Sequence, residues 1–316
     1  MILPSTRALI REARKAHHYS LFDFLHGWVY LRWPYFYIAV GTGEHRLARI
    51  ITPLTTALVS LFGLRGREGR RDGKITFADT SHGKVVPLES AKQLVTVNRD
   101  VTLPDLEHII PYERARDIVL KNPDRIAVLE CPCRAAREHP CRPLDVCLII
   151  GEPFAGYVLE HHRDRARRIT QAEAIEILRQ EDERGHVHHA FFKDAMLGRF
   201  YAICNCCKCC CGAMQAHRNG TPMLASSGYR AVVDRGLCAA CGTCAKYCQF
   251  DAVRFIDGVK MIDGDRCMGC GVCVPKCPKK AVGLVRDPSR GEPLEISSLM
   301  ADVIGDAPVR QPEPTA

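Results

Sequence analysis

Residues 238–248 read CAACGTCAKYC, and residues 267–277 read CMGCGVCVPKC. Both runs space their cysteines C-x2-C-x2-C-x3-C. The first holds Cys238, Cys241, Cys244 and Cys248, the second Cys267, Cys270, Cys273 and Cys277. The second begins 29 residues after the first, and each unit ends in Ala-Val at the same offset, Ala252-Val253 and Ala281-Val282. Three cysteines two apart wrap one face of a small turn, so three thiolates converge. Gly242 and Gly271 lie inside those turns, where glycine takes backbone conformations other residues resist and lets amides face sulfur. The fourth cysteine of each run sits too far along the chain to close the same site.

Zinc fingers usually carry two C-x2-C pairs separated by a longer loop, so this triple-plus-one pattern speaks for iron and sulfide. It resembles the bacterial-type two-cluster ferredoxin domain, in which the fourth cysteine of each run ligates the other cluster. The resemblance implies a compact pseudo-twofold unit holding two [4Fe–4S] clusters. One would be held by Cys238, Cys241, Cys244 and Cys277, the other by Cys267, Cys270, Cys273 and Cys248. One departure stands out: Gln249 occupies the place of Pro278 in the second run, which loosens the restraint on the loop after Cys248. From Arg230 to Lys280 nine Lys and Arg face five Asp. Freely diffusing domains of this kind are typically acidic, so a basic one implies a domain fixed in a larger assembly or docking on an acidic partner.

Ten further cysteines precede this unit among the 18 of the 316-residue chain. Cys131, Cys133, Cys141 and Cys147 are spaced C-x-C-x7-C-x5-C. The nonapeptide ICNCCKCCC (203–211) adds Cys204, Cys206, Cys207, Cys209, Cys210 and Cys211. Adjacent cysteines rarely satisfy disulfide geometry. The N-terminus shows no secretory signal, so a cytoplasmic, reducing compartment is expected and the clusters read as metal sites. The order CPCR, then CNCCxCCC, then a ferredoxin-like end resembles a group of iron–sulfur proteins over roughly residues 84–286. That implies a cofactor more than a reaction. The ten thiols fit one or two ordinary cubanes, a larger non-cubane cluster held by five or more cysteines, or structural zinc.

The expected class is α+β and multidomain. Residues 1–74 form an aromatic-rich arm ending in the basic run GREGRRDGK (66–74), residues 75–229 a cysteine-rich middle domain, residues 230–286 the ferredoxin-like domain, and residues 287–316 a free tail with one short helix near 295–304. Within the middle domain, residues 103–122 read as a turn and a helix, while DRIAVLE (124–130) and CLIIG (147–151) read as buried strands. A helix capped by Thr170 and closed by Gly185 is followed by a hairpin, HVHHAFF and GRFYAIC. Helix then hairpin is the outline of a winged helix. His186, His188 and His189 on the first strand, and His161 and His162, read as solvent-facing rather than as ligands.

Net charge is +8, spread along the chain. The acidic helix over 171–184 carries Glu173, Glu176, Glu181, Asp182 and Glu183, which oppose phosphate, so nucleic acid is not the expected partner. Residues 21–40 contain Asp23, His26, Arg32 and Pro34 and make a poor spanning helix, and the apolar run 50–64 falls short of the roughly 20 residues a span requires. The arm suits a core or partner-facing role, with contact between residues 21–64 and the inner face of a membrane as the alternative. Three functions remain: an electron-transfer protein or subunit with redox partners, a reductase whose middle cluster binds substrate, and an iron–sulfur redox-sensing regulator. No nucleotide- or flavin-binding motif is legible.

Overall fold

The computed structural model describes residues 2–16, 19–61, 81–111, 117–256 and 259–305; the basic run 66–74 lies outside them. The chain opens with four helices, α1 (Pro4–Ala13), α2 (Leu21–Arg32), α3 (Pro34–Gly41) and α4 (Ala48–Leu61). A capping box starts α2: the Asp23 amide donates to Ser20 Oγ, and the Ser20 amide donates to the Asp23 carboxylate. Pro34 then sits in the first turn of α3, where its missing N–H costs nothing. Among the described residues no helix is long and apolar enough to cross a membrane.

A mixed, mostly antiparallel sheet follows. Its elements are β1 (Ser81–Val86), α5 (Leu88–Val95), β2 (Val101–Leu103), β3 (Ile118–Glu130), α6 (Pro132–Ala135), β4 (Asp145–Glu152), α7 (Phe154–His161), β5 (Ala166–Ile169), α8 (Gln171–Glu183), β6 (Val187–Lys193), β7 (Arg199–Cys206), α9 (Gly212–Arg218) and β8 (Leu224–Ala225). Eight strands run in the order β2-β3-β4-β7-β6-β1-β8, with β5 paired to β3. Side chains alternate between faces. Ile126, Val128, Leu148, Ile150 and Ile203 enter one core with Leu94 of α5 and Leu178 of α8. Ala127, Leu129, Cys147, Ile149 and Tyr201 enter the other, beneath the N-terminal helices and α7.

The arm is an integral layer of this second core. Tyr19 donates to the Ala195 carbonyl (2.7 Å), Tyr30 and Tyr201 share a hydrogen bond (3.0 Å), and Tyr35 donates to the Glu130 carbonyl (3.1 Å). The backbone of α2 lies so close to the β6–β7 turn that a Cβ on Gly27 would fall 1.9 Å from the Ala195 oxygen.

Several expectations change. Residues 118–122, expected in a helix, belong to β3: Ile118, Val119 and Leu120 find their partners in β2, which local pattern cannot show. The capped helix and the hairpin are present as α8, β6 and β7, with both halves of the Thr170 capping box made. The hairpin is not a free wing, because β6 also pairs with β1 and β7 with β4. Every residue of β6 is buried, so His188 and His189 do not face solvent, and neither does His186.

At the C-terminal end, β9 (Tyr229–Val233) pairs with β12 (Val282–Arg286), and β10 (Val253–Ile256) with β11 (Val259–Ile262); α10 spans Thr243–Tyr247. The segment after β12 is held in place through residue 300: Leu294 and Ile296 are buried against the α5 core, and Lys84 of β1 donates to the Glu292 carbonyl (2.8 Å). The short helix expected there is α11 (Ile296–Gly305).

Candidate metal centres

In the C-terminal unit the two cysteine runs interleave. One small cavity is lined by Cys238, Cys241, Cys244 and Cys277, and a second by Cys248, Cys267, Cys270 and Cys273, each of about 20 Å³. Gly242 (φ 79°) and Gly271 (φ 80°) adopt the left-handed backbone on which the turns depend. Backbone amides face the sulfurs: Ala252 N donates to Cys248 Sγ and Ala281 N to Cys277 Sγ, both at 3.3 Å, and Ala231 N to Cys267 Sγ at 3.4 Å. The repeated alanine therefore supplies the amide that solvates the crossing thiolate. The symmetry extends upstream to a pair that the cysteine spacing did not reveal. Asp234 N and Asp263 N donate to the Ala281 and Ala252 carbonyls, and each aspartate caps the turn leading to its run through the amides two and three residues on. Converging thiols, inward amides and left-handed glycines together fit [4Fe–4S] clusters.

The ten upstream cysteines divide into two sets. Cys131 directly follows β3, Cys133 lies in α6, Cys147 is the third residue of β4, Cys204 and Cys206 end β7, and Cys211 precedes α9. Among these six, Cys211 Sγ donates to Cys206 Sγ (3.2 Å). All six line a cavity of about 210 Å³, roofed by Tyr30, Leu31, Pro34, Tyr37 and Ile38 of α2 and α3. That is some ten times the space of either ferredoxin-end cavity. The chemistry of this donor set, six soft sulfurs around a hollow whose wall Cys207 and Cys210 help to complete, fits a multi-iron group. Lys193 reaches the same hollow with its ammonium 4.8 Å from the Tyr30 ring centre. Burial, opposed by Asp194, brings its pKa down to about 8. The other set, Cys141, Cys207, Cys209 and Cys210, gathers on the flank, with all four sulfurs within 4.8 Å of one another. Burial opposes ionisation of Cys209, yet its hydrogen bonding with Cys141, Cys207 and Cys210 carries its thiol below the usual range.

The non-cysteine letters of the two motifs tie the loops together. Arg134 of CPCR is buried, donates to the Asn205 carbonyl of CNCC (3.0 Å) and the Pro143 carbonyl (2.5 Å), and pairs with Glu181 of α8. His186 Nδ1 meets the same Glu181 carboxylate at 2.6 Å. The Asn205 side chain donates to the Val146 carbonyl (2.7 Å) and meets His188 Nδ1 (2.6 Å). Glu181 and Asp182, named from sequence among the acids that oppose phosphate, are both buried. His186 and His188 support this network, while His161 and His162 contact the arm at Thr6 and the Leu31 carbonyl.

Gln249, the departure from the proline of the second run, joins the two regions. Its amide donates to the Gly185 carbonyl (2.8 Å) and its oxygen accepts from Lys208 N (2.9 Å), in the middle of ICNCCKCCC. Lys208 also pairs with Asp251 (2.6 Å). A proline at position 249 could make neither hydrogen bond.

Residues 237–282 match the family model of the 4Fe-4S dicluster domain. The ferredoxin-type end thus stands, and with the cysteine-rich middle region it points to iron–sulfur electron transfer. No curated protein matches the chain.

Proposed function

We propose that the chain is an electron-transfer protein or redox subunit, with Cys238, Cys241, Cys244 and Cys277 holding one [4Fe–4S] cluster, Cys248, Cys267, Cys270 and Cys273 a second, and the six-thiol cavity a further iron–sulfur group. When bound, such groups supply one-electron transfer. The observation that carries this reading is the interleaving of the two runs around two cavities, with Gln249 and Lys208 seating that unit on the thiol-rich loop. The arm excludes water from the six-thiol hollow, and the basic setting of residues 230–280 favours the more negative, reduced state and raises the potential. The same basic surface suits an acidic redox partner. The exposed Leu21, Phe22, Leu25, Ile50 and Leu54 of the arm offer an apolar contact, for a partner or for the inner face of a membrane.

Stepwise reduction of the anaerobically prepared chain, followed by EPR, tests this. Paramagnetic signals that appear on reduction and weaken selectively in Cys238→Ser and Cys267→Ser support the assignment. A chain that stays silent, with unchanged visible absorption, contradicts it.

A second reading, a reductase, is favoured by the size of the six-thiol cavity and by Lys193 beside it, a proton-bearing group next to space that the ferredoxin-end cavities lack. Candidate disulfides, quinones or thioesters that alter the cluster spectrum would support it, and no change with any of them would count against it.

A further inference from the structure

Cys141, Cys207, Cys209 and Cys210 stand apart from the other fourteen thiols in their spacing. Cys141 Sγ lies 3.2 Å from Cys209 Sγ and 3.7 Å from Cys207 Sγ; Cys209 Sγ lies 3.2 Å from Cys207 Sγ and 3.7 Å from Cys210 Sγ. Among the described residues no other three Cys, His, Asp or Glu donors come within 4.8 Å of one another. The eight cysteines of the ferredoxin end give the internal comparison. They surround two hollows, as thiolates bound to four separate irons of a cubane must. The flanking four instead close on a point. A single ion with metal–sulfur bonds of about 2.3 Å in a tetrahedron sets its sulfurs about 3.8 Å apart, so the observed gaps need open by only a few tenths of an ångström. A cubane would require all four to part widely.

We infer that these four thiolates form a mononuclear tetrahedral site for zinc. This goes beyond the electron-transfer reading and leaves the six-thiol cavity to iron. Four protein ligands with no open position are the mark of a structural zinc site, not a catalytic one. The surroundings suit a staple. The Cys141 amide donates to Cys210 Sγ (3.5 Å), and Arg137 donates twice to the Cys210 carbonyl (3.1 and 3.3 Å). Arg218 donates to the Lys208 carbonyl (2.7 Å). Four thiolates around a divalent cation carry a net charge of −2; Arg218 faces that loop, and Arg137 and Lys208 border it while pairing with Glu44 and Asp251. The stapled loop does two jobs: Cys207 and Cys210 also form part of the wall of the six-thiol cavity, and Lys208 between them contacts Gln249 and Asp251 of the dicluster unit. A redox-inert ion fixes both surfaces without adding an electron carrier.

The test uses the full chain prepared anaerobically with iron and zinc both supplied. The inference expects about one tightly held zinc per chain, with zinc-edge X-ray absorption showing only sulfur neighbours, four of them at about 2.3 Å. Cys141→Ser with Cys209→Ser should lose that zinc and keep the wild-type iron and acid-labile sulfide. Should that variant fail to fold, the wild-type absorption spectrum decides. A zinc-free chain that carries iron, a single iron in place of the zinc, or a variant that loses iron instead, overturns the staple and leaves the cluster reading standing. An iron-free chain with zinc in place does the reverse.

Discussion

Replacing Arg134 tests how the two cysteine loops are held. Its side chain is 1% exposed and that of its partner Glu181 is fully buried. Arg134→Met keeps most of the volume but leaves the Glu181 carboxylate in the core, and the Pro143 and Asn205 carbonyls without their donor. Breaking a buried ion pair costs about 3–5 kcal/mol. Arg184 still reaches Glu181 at 3.0 Å but is 39% exposed, and so compensates only weakly across solvent. At about 3 kcal/mol, the low end of that range, the urea midpoint should fall by about 1 M or more. Metal-bound chains seldom unfold in two-state fashion, so midpoints are compared, by far-UV circular dichroism and by visible absorption together. Visible absorption should vanish first, because Cys133 and Cys206 flank the residues that Arg134 joins. Burial opposes ionisation of Glu181, but the His186 hydrogen bond and the charges of Arg134 and His186 hold its carboxyl below the ordinary range. A carboxyl depressed by folding stabilises above its unfolded pKa, and that contribution is lost as pH falls through the folded value. The Arg134→Met deficit should therefore shrink in acid. Arg134→Met with Glu181→Leu should recover much of the loss, since both charges are gone. An unchanged midpoint and unchanged iron content in Arg134→Met would refute the reasoning.

Three other perturbations follow from the packing. Burial lowers the pKa of Lys84 to about 8; folded Lys84 then binds fewer protons than the unfolded chain between about pH 8 and 10.5, stability rises with pH over that window, and Lys84→Met should flatten the rise in pH-dependent denaturation. Gln249→Pro makes the first run match the second but removes both bridging hydrogen bonds, so hydrogen exchange should quicken at the Lys208 amide while both ferredoxin-end clusters remain; unchanged exchange there would contradict the bridge. Gly27→Ala drives a methyl into the Ala195 carbonyl, costs about 1–3 kcal/mol, and should speed bleaching by oxygen of the absorption from the six-thiol group, read as a first-order rate in air.

The parts of the molecule legible in sequence are those written locally. The two C-x2-C-x2-C-x3-C runs fix their turns within a dozen residues each, and Thr170 with Glu173 declares the start of α8 on its own. What escaped depends on distant partners. Residues 118–122 carry no local mark separating strand from helix, and β2 and β4 decide the matter. Arg134 meets Glu181 and Asn205 from 47 and 71 positions away. The division of the ten thiols into six and four follows from β3, β4 and β7 lying side by side, which places Cys131, Cys147, Cys204 and Cys206 on one face and leaves Cys141 in a loop. The role of Tyr30 and Tyr37 as a roof, and of Gln249 as a bridge, likewise needs the folded chain.

The most direct measurement is iron and acid-labile sulfide per chain in anaerobically purified protein. Clusters at both ferredoxin-end sites and in the six-thiol cavity predict about twelve irons or more, with matching sulfide. About eight irons would empty the six-thiol cavity of its cluster, and a folded, active chain free of iron would contradict the whole account.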